Sequence, residues 1–213
     1  MRNYLEMKWQ EVITRKIAKE KTLDIICGII GVFIIFGGCL LTHEMFIFVG
    51  GILIGVALYR WSKCSCLQKQ MDIRYSSLYD DITFYGDYLK VMQDVSDSLQ
   101  YDCEYKDHNI YLTKEWLVDL NSKQARIVRL DRIIWLYPVD MGGTGFIKCH
   151  LDDMSELCIP LGQQQKVIQM ICEFHPQAVA GYNRYMEMDM KENPQIFISR
   201  MKEGYYSTYR DER

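Results

Sequence analysis

Histidine is scarce in this chain. The four present, His43, His108, His150 and His175, are grouped by no local spacing. Acid–base and nucleophilic catalysis need a tuned group beside a partner, so the sequence assigns no catalytic, cofactor-binding or metal-ligating residue. A basic excess is missing too. Residues 62–213 hold eighteen Lys and Arg against twenty-three Asp and Glu, which excludes the field that draws phosphate backbones and nucleic acid with them. The eight cysteines do not form the disulfide framework of a small secreted domain. Cys149, Cys158 and Cys172 fall on apolar-patterned positions, which reads as free thiols in a reducing compartment. Cys64-Ser65-Cys66 has no second Cys or His pair at ligand spacing, so unmodified residues are expected there.

Polar residues are absent from most of the block 23–61. Leu23 to Leu41 carries one charge, Asp24, at its edge. Crossing a hydrocarbon core of roughly 30 Å takes about 17 to 25 helical residues. After Thr42, His43 and Glu44 a second apolar run, Met45 to Leu58, closes on Tyr59, Arg60 and Trp61, the border that a headgroup interface favours. Neither run has the polar position every three or four residues that an amphipathic core helix shows. The pattern predicts a transmembrane helical hairpin at 23–61, with spans at about 23–41 and 45–61 and a lipid bilayer as partner. A cleaved signal peptide is disfavoured by the immediate second run, and Phe36-Gly37-Gly38-Cys39 departs from a lipobox at Phe36. Arg15, Lys16, Lys19 and Lys21 precede the first run, Arg60, Lys63, Lys69 and Arg74 follow the second, and the connection has no Lys or Arg. The positive-inside rule then puts both termini in the cytoplasm. Gly51 and Gly55 form a GxxxG that permits close helix approach, within the hairpin or in a homodimer. Ahead of the block, Leu5, Trp9, Val12, Ile13 and Ile17 predict an amphipathic juxtamembrane helix over 1–22.

A juxtamembrane linker and helix are expected over 62–104, with Tyr85, Leu89, Met92, Ser96 and Leu99 at helical spacing from 82 to 99. The period then changes. Runs at 109–113, 115–120, 126–130, 133–137, 145–150 and 156–160 are rich in β-branched and aromatic residues and predict an antiparallel meander within a domain at 105–182. Gly142-Gly143-Thr144-Gly145 lacks the phosphate-loop frame and reads as a hairpin turn. Helical spacing returns from Gly162 to His175 and stops at Pro176. Beyond it, 183–213 is expected to hold one helix over 195–206 and a polar tail. Lys123, Arg126, Arg129 and Arg132 form the basic cluster of this part, a candidate contact for anionic lipid or a partner. The alternative is a solvated strand face paired with Asp119 and Asp131. Trp116 and Trp135 read as core.

Ile110 to Val118, Val128 to Tyr137, His175-Pro176-Gln177-Ala178 and Gly181-Tyr182 together resemble uncharacterised bacterial membrane proteins with a pleckstrin-homology-like (PH-like) cytoplasmic domain. The resemblance spans roughly 105–185. It implies a strongly bent sheet closed by a C-terminal helix and a place in the bacterial inner membrane, and it brings no established activity. The fold class expected is thus α+β: a transmembrane hairpin, then a PH-like antiparallel meander capped by a C-terminal helix, with flanking helices. The function expected is a membrane-anchored, non-enzymatic binding or scaffold module that engages a protein partner or forms a homo-oligomer. Recognition of anionic lipid is the second reading and a membrane-bound enzyme the third.

Overall fold

The computed structural model describes residues 3–41, 44–107, 109–121 and 125–206. It divides into two units, Met1–Gln93 with Leu120–Ala125, and Asp94–Asp119 with Arg126–Arg213.

The first unit is helical, with α1 (Tyr4–Leu41), α2 (Glu44–Lys69), a 3-10 turn at Ile73–Tyr75 and α3 (Ser77–Phe84). In α1 the four-residue steps Leu5, Trp9, Ile13 and Ile17 are buried, and Trp9 Nε1 donates to the Gln70 carbonyl at 2.6 Å. The amphipathic segment and the first apolar run therefore form one continuous helix rather than two elements. Gly31 and Gly50 face each other across the hairpin of α1 and α2. A Cβ on Gly50 would lie 2.8 Å from the Gly31 carbonyl oxygen, so glycine is what allows the backbones to approach.

The expected transmembrane hairpin is corrected here to a helical hairpin. Among the described residues no helix is long and apolar enough to cross a membrane, and the integral-membrane assignment, with its bacterial inner-membrane location, is withdrawn with it. Charge placement supplies the physical reason. Asp24 was expected to reach outward from the edge of the first run, yet it is 4% exposed and accepts from Arg60 Nε at 2.9 Å, while Arg60 also pairs with Glu20. This ionic cluster bounds both apolar runs from within the hairpin. Ile25 to Leu41 then rises about 25 Å and Met45 to Tyr59 about 22 Å at 1.5 Å per residue, each short of roughly 30 Å of hydrocarbon.

The helix expected over 82–99 is divided. α3 ends at Phe84 and α4 (Tyr88–Tyr101) begins after Gly86, whose φ of +142° breaks the helical path. Asp87 restarts it by accepting from the Lys90 amide at 3.0 Å.

The second unit is α+β. Its first sheet is an antiparallel meander of β1 (Tyr105–Asp107), β2 (Ile110–Leu112), β3 (Trp116–Asp119) and β4 (Arg126–Arg129). Its second sheet contains β5 (Ile133–Met141), β6 (Thr144–Leu151) and β7 (Glu156–Pro160), antiparallel in turn. After α5 (Gln164–Phe174) the chain adds β8 (Val179–Ala180) parallel to β5, giving the order β7-β6-β5-β8. The single meander closed by a helix is thus corrected to two four-stranded sheets, and α5 is a crossover rather than a terminal cap. Pro176 and the turn in which Ala178 donates to the His175 carbonyl at 3.0 Å return the chain to the β5 edge.

Period-2 alternation gives the second sheet two packed faces. Leu136, Ile147, Cys149, Leu157 and Ile159 point into one core with Val167, Ile168 and Ile171 of α5. Trp135 and Tyr137 point into another, closed by Met186 of α6 (Arg184–Glu192) and by Phe197 and Met201 of α7 (Pro194–Lys202). The helix expected over 195–206 is α7, which ends at Lys202, and the sequence reading omits α6, which precedes it on the other side of Asn193 and Pro194.

Candidate functional site

The outer face of the second sheet gathers most of the unit's aromatic and polar chemistry. The β5–β6 register shifts between Ile133 and Trp135, and Trp135 is completely buried, with its Nε1 donating to the Gly181 carbonyl at 2.7 Å. The Trp135 ring lies 4.7 Å from that of Tyr137 and meets Phe197 edge-on at 6.1 Å. His150, on β6, stacks on Trp135. Its Nε2 is 3.4 Å from the Tyr137 hydroxyl and its Nδ1 3.5 Å from a Glu156 carboxylate oxygen. Glu156 also pairs with Lys148 at 2.8 Å. Burial drives the His150 pKa down to about 4 against the pull of Glu156, so the imidazole is neutral at neutral pH and packs as an aromatic. Burial likewise raises the Tyr137 phenol and pushes the Cys149 thiol up to about 12, which removes thiolate nucleophilicity there.

The rim of this face is open. Asn183 caps α6 by accepting from the Tyr185 amide at 2.8 Å, which turns Met186 inward and leaves Tyr182, Tyr185 and Met188 exposed. Tyr182 donates to Glu187, which also holds Lys191 at 2.6 Å. The interior is neutral and aromatic, and its charges are matched at the edge. Sequence reading assigned Trp135 to the core and His150 to a strand end. Their contact across neighbouring strands was signalled only by two aromatic positions of like alternation phase.

The predicted basic cluster is dispersed. Lys123 lies outside the described residues. Arg126 and Arg129 are three residues apart on β4 and so project to opposite faces, in register with Asp119 and Trp116 respectively. The Arg129 guanidinium lies over the Trp116 ring at 5.8 Å and pairs with Asp131 at 2.9 Å. Arg132 is turned to the β6–β7 connection, where it bonds Asp152 at 2.8 Å and Asp153 at 2.6 Å. Burial would raise the Asp153 carboxyl, but Ser155 and Arg132 outweigh it and hold it down at about 2.

His43 and His108 also lie outside the described residues. Gly142 and Gly143, at φ +66° and +83°, form the tight β5–β6 turn, with Asp140 accepting from the Gly143 amide at 2.9 Å. Cys64 is buried and approaches Asp24 at 3.8 Å, whereas Cys66 is exposed. Two helical residues apart, they do not share a site. Among the described residues no group of three His, Cys, Asp or Glu side chains is placed to hold a metal ion.

Among the described residues, exposed large apolar side chains concentrate on the hairpin. Ile25, Ile29, Phe33 and Phe36 on α1, and Phe48, Ile52, Val56 and Tyr59 on α2, are each at least 43% exposed. Added Cβ atoms at Gly51 and Gly55 would meet nothing within 4 Å, so the GxxxG faces outward rather than lining the contact between α1 and α2. Exposed large apolar side chains gathered in this way mark an interaction site.

No family model, curated protein or solved structure matches the chain.

Proposed function

We propose that the chain is a non-enzymatic protein-interaction module whose helical hairpin is its assembly surface, receiving the apolar helices of a second copy. One observation carries this reading: large side chains such as Phe33 and Phe48, 70% and 71% exposed, recur along the outward side of both helices, with nothing over them among the described residues. Water contact along such a surface is unfavourable at about 25 cal/mol per Å², and helices that interleave these side chains beside the outward-facing Gly51 and Gly55 relieve it. The second unit supplies a rigid body whose neutral Trp135–His150 interior suits recognition better than proton transfer.

Sedimentation of the full chain as non-ionic detergent is withdrawn tests the proposal. The expected result is an oligomer of one defined mass that Phe33→Ser with Phe48→Ser weakens at least tenfold. A monomer, an oligomer indifferent to these substitutions, or only aggregate of no fixed mass would sink it. Recognition of anionic lipid has less support, because Arg126, Arg129 and Arg132 do not share one face.

A further inference from the structure

The second sheet ends on one side at β7, and the hydrogen-bond phase of that strand determines what its free edge presents. Leu161 donates to the Gly145 carbonyl at 3.1 Å, and Leu151 to the Ser155 carbonyl at 2.9 Å. Residues of odd number in β7 therefore bond to β6, and the amides and carbonyls of Glu156 and Cys158, with the Pro160 carbonyl, point away from the sheet. Among the described residues nothing bonds to them. The side chains suit a close neighbour: Leu157 and Ile159 turn into the core, the Cys158 thiol is free and exposed, and Glu156 is drawn toward Lys148.

We infer that β7 pairs antiparallel with β7 of a second copy, about a two-fold axis at Cys158, joining the two second sheets into one. The strand is self-complementary in this register. Each Cys158 amide donates to the other's carbonyl, and each Glu156 amide reaches the second copy's Pro160 carbonyl. Proline, which has no amide proton, thus falls where it serves as acceptor, whereas an unrelated strand running past it meets a missing donor. No like charges face each other, since Glu156 lies opposite Pro160. A small side chain at the axis lets the backbones close to ladder distance, and the two Cys158 Cα atoms then stand about 5.5 Å apart, within the span a disulfide bridges.

The test uses the full chain in non-ionic detergent micelles, which occupy the hairpin and leave β7 free. With Cys66→Ser and Cys103→Ser removing the other thiols exposed among the described residues, diamide should link the chain into a dimer, two thiols giving up two protons and two electrons to the oxidant. Cys158→Ser should abolish the link while the sedimenting mass stays dimeric. Cys158→Pro removes only an outward amide, and Cys158→Lys puts like charges on the axis. Both should halve the mass with the thermal unfolding midpoint of the second unit unchanged. A parent chain that is monomeric in micelles, or a dimer that survives both substitutions, overturns the inference. A micellar dimer lost in Cys158→Pro but indifferent to Phe33→Ser with Phe48→Ser upholds β7 pairing, and the hairpin reading then stands or falls separately on the oligomer formed as detergent is withdrawn. The reverse pattern removes β7 pairing alone.

Discussion

Trp135 and His150 lie ring against ring on neighbouring strands, centroids 4.7 Å apart and planes 17° from parallel. The stack makes the imidazole part of an apolar core and ties its protonation to folding. In the unfolded chain His150 has its ordinary value of 6.5, and in the folded chain burial holds it at about 4. Between these values the unfolded state binds the proton and the native state does not, so stability is full above about 6.5 and falls as pH drops toward about 4. The loss reaches up to about 3 kcal/mol. Urea unfolding at a series of pH values should show that slope in the parent chain and a flatter one in His150→Phe. Equal slopes would mean that the imidazole is solvated in the native state.

Arg132→Ala should destabilise the second unit by about 1–3 kcal/mol, because it strips Asp152 and Asp153 of their shared, half-buried partner. Arg129→Ala, at an exposed pair with Asp131, should change stability by less than about 1 kcal/mol. Chemical unfolding of the two variants side by side decides, and an NMR titration should find Asp153 moved upward from about 2 in Arg132→Ala alone.

The hairpin glycines divide by face. Gly50→Ala places a methyl group against the Gly31 carbonyl and Ile35, so it should cost about 1–3 kcal/mol and speed amide exchange in α1 and α2. Gly51→Ala and Gly55→Ala point into open space and should leave exchange unchanged or slower, since alanine favours helix. Faster exchange in Gly51→Ala than in Gly50→Ala would reverse the assignment of faces.

Phe197 anchors α7 beside Trp135 with no exposed surface. Phe197→Ala should lose about 3–5 kcal/mol through the cavity it opens, with loosening of α6 and α7 visible by limited proteolysis. Ile196→Ala, one residue away and half exposed, should be close to neutral.

What the residues disclosed and what they withheld follow from the range of the interactions involved. Strands β2, β3, β4 and β7 fall within their β-branched runs, β5 and β6 overrun theirs toward the Gly142-Gly143 turn, and α5 falls within its apolar spacing, because alternation and helical period are local properties of a chain with one buried face. The Gly142-Gly143 turn was legible for the same reason. Gly86 was passed over inside a helical pattern, because a positive φ shows only once flanking segments hold it. The membrane reading failed on Asp24: from sequence it was an edge charge free to face headgroups, and only its position opposite Arg60, thirty-six residues on, turned it inward. The dispersal of the basic cluster was hidden likewise, since closeness in sequence does not determine which face of β4 a side chain takes or that Asp152 and Asp153 claim Arg132. The sequence by itself determined the elements and their apolar faces. Tertiary structure alone decided the division into two sheets, the parallel return of β8 beside β5, the burial of His150 under Trp135 and the free edge of β7, because each depends on contacts between residues far apart in the chain.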